Sequence, residues 1–130
     1  MNSASFATLP LRSELLTSIA TLAYDSMTPV QAQALPHLLN HQDLLAQART
    51  GSGKTAAFAI GLLNKLDALS YCTQALVLCP TRELAEQVAT EIRRLASTIP
   101  NIKLLTLCGG KPMGPQLASL QRDPHIVVGT

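Results

Sequence analysis

The chain has 130 residues, which is room for one domain and one core, not two. Apolar residues make up 47% and aromatics 3%, so the chain can bury a core, and that core is aliphatic. A net charge of +2 argues neither for nor against a nucleic-acid partner, and no apolar run approaches the about 20 residues that span a membrane.

Residues 1–22 read as an arm and a helix. Met1 to Pro10 is Ser/Ala-rich, with Phe6 its only aromatic, and is expected to be loose. A helix is expected from Ser13 to about Ala23, with Leu15, Leu16, Ile19, Leu22 and Ala23 on one face and Glu14 in its first turn, where the dipole favours an acid. No basic segment followed by a long apolar stretch opens the chain, so no signal peptide is expected. Thr28-Pro29-Val30-Gln31 then has the form of a capping box with proline at the first helical position. Read locally, Gln31 folds back on the Thr28 N–H and does nothing else. Pro36 predicts a kink or an early end to that helix.

A strand is expected over about Asp43 to Gln47 and a helix over Lys54 to about Asp67, apolar nearly all round and so buried on both sides. Between them lies Ala48-Arg49-Thr50-Gly51-Ser52-Gly53-Lys54-Thr55. Strand, Gly-rich turn and helix form the setting of a phosphate-binding loop. Gly51 and Gly53 let backbone N–H groups turn inward as an anion cradle, and the helix start adds its free N–H groups and positive dipole end. Lys54 supplies a point charge for the outer phosphates, and the Thr55 hydroxyl is placed to ligate Mg²⁺. Ala48 stands where the pattern G-x-x-x-x-G-K-S/T has its first glycine. The motif names a phosphate, not a reaction.

Ala75 to Cys79 is a continuous apolar run, expected as a strand covered on both faces. Pro80-Thr81-Arg82-Glu83-Leu84-Ala85 follows, with Thr81 the expected N-cap for a helix whose stripe is Leu84, Val88, Ile92 and Leu95. A third strand over Ile102 to Leu107 closes on Gly109-Gly110, which alone reads as a turn, and a short helix ends near Gln121. Ile126 to Gly129 is a fourth strand, before Thr130. Cys72, Cys79 and Cys108 have no C-x-x-C spacing, so buried free thiols in a reducing, cytoplasmic setting are expected rather than a disulfide frame or metal site. His37 and His41 read as surface residues. The order predicts an α/β fold with a parallel sheet and helices on both faces. No acidic residue directly follows an apolar strand to hold a metal opposite Thr55, and no base for activating water is apparent.

These motifs in this order resemble the DEAD-box RNA helicases, across essentially the whole chain. Alanine is normal in that family at the position of Ala48. The resemblance implies a RecA-like ATP-binding domain over residues 23–130, incomplete at its C-terminal end, with ATP and Mg²⁺ as cofactors. Thr28 to Gln31 matches the Q motif, whose glutamine reads adenine, with Tyr24 in the motif and Phe6 as the upstream aromatic that covers the base. Lys54 and Thr55 become the catalytic candidates. Pro80, Thr81, Arg82 and Glu83 match motif Ia, Gly109 and Gly110 the glycine doublet, and Gly129 and Thr130 the start of a further motif, all on the RNA path. The chain looks most like bacterial members acting in large-subunit ribosomal RNA assembly. Two positions depart from the family: Ala23 and His41 stand where glycine is usual, and beside His41 it is Asn40 that is expected to take any left-handed position. Unpaired strand edges are expected to make the chain associate with a copy of itself. A P-loop enzyme of another kind, such as a small kinase, and a non-catalytic module are the alternatives.

Overall fold

The computed structural model describes residues 4–130. Ser5 caps a 3₁₀ turn over Phe6–Thr8, and five helices come after it: α1 Ser13–Thr21, α2 Pro29–Leu39, α3 Lys54–Lys65, α4 Arg82–Leu95 and α5 Met113–Leu120. Three strands, β1 Ala75–Leu78, β2 Leu104–Leu107 and β3 Ile126–Gly129, form a parallel sheet in the order β1-β3-β2. Leu78 and Leu107 both pair with Gly129, so the three strands end level and the segments leaving them share one edge.

The core lies where α1, α3 and α4 meet the sheet. α4 turns Ala85, Val88, Ala89, Ile92 and Leu95 inward, one side of a helix of 14 residues, and β3 is buried at every position. Gly61 lets α2 approach α3: a Cβ there would lie 3.1 Å from Leu38. His125, fully buried, clamps the start of the sheet. Its Nδ1 accepts the Lys103 N–H at 3.1 Å, so Nε2 carries the proton and donates to the Ala68 carbonyl at 3.1 Å.

Several expectations need correction. The arm is not loose where it is described: Phe6 and Leu11 are buried, and Arg12 donates to the Leu66 carbonyl at the end of α3 at 2.8 Å; Met1 to Ser3 lie outside the described residues. α2 runs through Pro36 to Leu39, because so near its end the ring removes a single helical bond. Asp43 to Gln47 is not a strand. An open cleft separates it from β1, and without a hydrogen-bonded neighbour there is no ladder. β1 is covered on one face only: Leu76 and Leu78 stay 65% and 72% exposed toward that cleft. Cys72 is exposed, on the loop before β1, rather than buried.

A candidate nucleotide cleft and nucleic-acid edge

One cleft of about 1450 Å³ runs between the phosphate-loop side and β1. Thr50, Gly51, Gly53, Lys54 and Thr55 line it, and so do Tyr24 and Thr28 from the segment before α2 and Gln31 from its first turn. The loop has the backbone its glycines suggest. Gly51 has φ +80° and Gly53 φ +92°, left-handed values that favour glycine. Gly53 is also the N-cap of α3, so free N–H groups of the first turn point at the loop's concavity. Lys54 Nζ donates to the Ala48 carbonyl, folding the side chain across its own loop. Ser52 Oγ is buried with no hydrogen-bond partner among the described residues. A buried orphan hydroxyl, an inward amide cradle and a lysine resting on a neutral carbonyl fit a phosphate group. Ala48 and Arg49 approach the loop from its N-terminal side, with Arg49 exposed.

Gln31 joins the two halves of this site. The capping box forms: the Gln31 N–H reaches Thr28 Oγ1 at 3.4 Å, and the Thr28 N–H donates to Gln31 Oε1 at 2.9 Å. The same amide goes further, since Gln31 Nε2 donates to the Gly53 carbonyl at 3.2 Å. A Cβ on Gly53 would lie 2.5 Å from that nitrogen, so glycine is required there twice over. Gln31 is 2% exposed and keeps one N–H and one lone pair for a ligand. Phe6 does not join it. It is 4% exposed, packed within the core cluster and not among the residues that line the cleft; the arm instead touches this region through the Met27 N–H to Ala4 carbonyl bond at 2.9 Å.

The second group of residues shares the sheet's C-terminal edge. Pro80, Thr81, Arg82 and Glu83 come directly after β1 and are exposed, as are Gly109, Gly110 and Thr130. Thr81 caps α4 through the Leu84 N–H at 3.2 Å. Arg82 Nη1 donates to the Gly109 carbonyl at 3.2 Å, and a Cβ on Gly110 would collide with that nitrogen. The glycine doublet is thus the seat of the Arg82 guanidinium. Lys111 pairs with Glu86 at 2.5 Å, a hydrogen bond that holds the exposed Glu86 carboxyl below its usual range. Gly129 is the exception: it is buried, with a would-be Cβ 3.0 Å from the Leu107 carbonyl, so strand packing accounts for it and it offers no surface to a partner.

Sequence reasoning missed one link. The Tyr24 hydroxyl donates to Glu91 Oε1 on α4 at 2.5 Å, and Arg94 holds the other Glu91 oxygen at 3.1 Å. Partial burial, then the Glu91 hydrogen bond, pushes the phenol above its usual 10, so it stays a donor. No spacing signals a contact across 67 residues. Among the described residues Glu91 is the one carboxylate lining the cleft, and each of its oxygens has a hydrogen-bond partner. Among the described residues no three His, Cys, Asp or Glu side chains converge on a metal-sized site.

Comparison with known proteins gives these features a context. The DEAD/DEAH box helicase family profile matches residues 28–130. The chain is similar to the ATP-dependent RNA helicase DbpA of Escherichia coli (63% identity over 115 residues, 88% of this chain and 25% of that protein). It is 44% identical over 126 residues to the ATP-dependent RNA helicase DeaD of the same organism, covering 97% of this chain and 20% of that one. Among solved structures, a DEAD box protein from the hyperthermophile Methanococcus jannaschii superposes with a TM-score of 0.91 at 41% identity, over 97% of this chain and 34% of that one. Dbp5 of S. cerevisiae, bound to RNA and ADP BeF3, superposes with a TM-score of 0.84 at 30% identity, over 97% of this chain and 32% of that one. The chain therefore spans about a quarter of its DbpA relative and about a third of these structures.

Proposed function

The chain belongs to the DEAD/DEAH box helicase family, and from that premise we propose that it is the ATP-binding, RNA-contacting part of an ATP-dependent RNA helicase. The observation that carries the reading is the Gln31 bond to Gly53, which joins a base-reading amide to the phosphate loop across one cleft. Bound ATP supplies a transferable phosphoryl group. This chain's residues hold and orient it. The loop amides, the Ser52 hydroxyl and Lys54 take the phosphates, with Lys54 exchanging the Ala48 carbonyl for them. Thr55, which lines the cleft in the first turn of α3, is the side chain that would hold Mg²⁺, and the ion would supply charge stabilisation for the phosphates. Gln31 selects adenine with the donor and acceptor it has left. Thr81, Arg82, Gly109 and Gly110 contact the sugar–phosphate backbone of RNA. Titration with ADP·Mg²⁺ tests the nucleotide assignment. Lys54→Ala removes a charge-assisted bond and should weaken ADP by about tenfold or more. Undiminished binding would refute the assignment.

The exposed Leu45, Leu76 and Leu78 and the unpaired edge of β1 favour a second statement: the chain associates with a copy of itself. β1 carries none of the lysines or prolines that blunt an open edge. A monodisperse monomer in sedimentation at micromolar concentration would contradict this.

A further inference from the structure

Residues 22–28, between α1 and α2, form a rim of the cleft through Tyr24, Ser26 and Thr28 and have no helix or strand of their own. Backbone bonds tie their two ends: Tyr24 N–H to the Ile19 carbonyl at 3.2 Å, and Met27 N–H to the Ala4 carbonyl at 2.9 Å. Thr28 then caps α2 and fixes Gln31. Among the described residues, one side chain of this rim hydrogen-bonds to α4. It is Tyr24, whose hydroxyl meets Glu91, itself held by Arg94. Both Tyr24 and Glu91 line the cleft.

The geometry points to Tyr24 as a positioning residue for the nucleotide base: through Glu91 it pins the rim that carries Thr28 and Gln31 to α4, and so sets the opening of the base end. This rests on the nucleotide reading above. α4 begins at the Arg82–Gly109 contact, about 14 Å along the helix from Glu91 at 1.5 Å per residue, so the same link ties the base end to the RNA-facing edge. The phosphate loop meets this segment through the Gln31–Gly53 bond, which the Thr28 capping box holds, and has further supports of its own in Lys54 and the start of α3.

That division makes the test. The unsubstituted chain, Tyr24→Phe, Glu91→Ala and Glu91→Gln are titrated with ADP and with inorganic pyrophosphate, both with Mg²⁺, after circular dichroism shows each folded. Tyr24→Phe and Glu91→Ala should weaken ADP about three- to tenfold and leave pyrophosphate unchanged. Glu91→Gln, whose amide oxygen still accepts the phenol, should restore most of the ADP affinity lost in Glu91→Ala. Unchanged ADP affinity in Tyr24→Phe overturns the inference. So does equal weakening of ADP and pyrophosphate, which marks a general loosening. If the unsubstituted chain binds neither ligand, the nucleotide reading fails and takes this inference with it.

Discussion

Replacing Ala23 with glycine should stabilise this protein, against the usual effect of adding a glycine. Ala23 has φ +57° and ends α1 in a Schellman motif: its N–H meets the Ala20 carbonyl at 3.1 Å and the Tyr24 N–H meets the Ile19 carbonyl at 3.2 Å. A left-handed alanine is strained by about 1–2 kcal/mol. Glycine removes that strain and returns about 0.4–1 kcal/mol through the freer unfolded chain. Ala23 is exposed, so little packing is lost. The net gain is about 0.5–1 kcal/mol, or a rise of about 2–5 °C in Tm for a domain of this size. Urea denaturation followed by circular dichroism reads it as a higher midpoint with unchanged slope. Ala20→Gly is the control. Ala20 is also exposed but lies within α1, so the same change should lower stability by about 1 kcal/mol. If both variants lose stability alike, the strain assigned to Ala23 is wrong.

His41, at φ +58°, should respond to glycine in the same direction, read by the same melt. Gly110→Ala should expel Arg82 from its seat; retention of poly-U at low salt should fall severalfold while ADP binding holds. The Tyr24 phenol is raised in the fold, so its contribution is complete below pH 10 and is lost as pH rises through the folded value; Tyr24→Phe should flatten that alkaline loss in pH-dependent urea midpoints. Glu86 shows the opposite sign. Its lowered carboxyl supports the fold above the ordinary value of 4.5 and ceases to as pH falls through the folded value, and since the pair is exposed, Lys111→Met should change acid stability only slightly.

What the sequence revealed was local. The phosphate loop, the Thr28–Gln31 box and the Thr81 cap are short-range geometries, and each formed where its residues indicated. The family's usual glycines marked Ala23 and His41, and both adopt the left-handed backbone that glycine accepts without strain; Asn40, expected to take that position, has φ −90° instead. What it hid was non-local. Asp43 to Gln47 has the composition of a strand, but a ladder needs a neighbour, and the cleft stands where one would pair. Leu76 and Leu78 look like core from their apolar run, yet burial depends on what packs over them. Phe6 fits a base-stacking aromatic by position and is drawn into the core, where the arm folds over α1 and α3. Tyr24 and Glu91 carry no spacing signal because their contact belongs to tertiary packing.

The central claim is that the cleft reads adenine with Gln31 and holds phosphates with the loop beside it. Equilibrium titration of the chain with fluorescent ADP and GDP in Mg²⁺, beside Gln31→Ala, tests this most directly. The account predicts that ADP binds clearly tighter than GDP and that Gln31→Ala erases the difference. Equal binding of the two nucleotides, or a preference that survives Gln31→Ala in a folded chain, would contradict it.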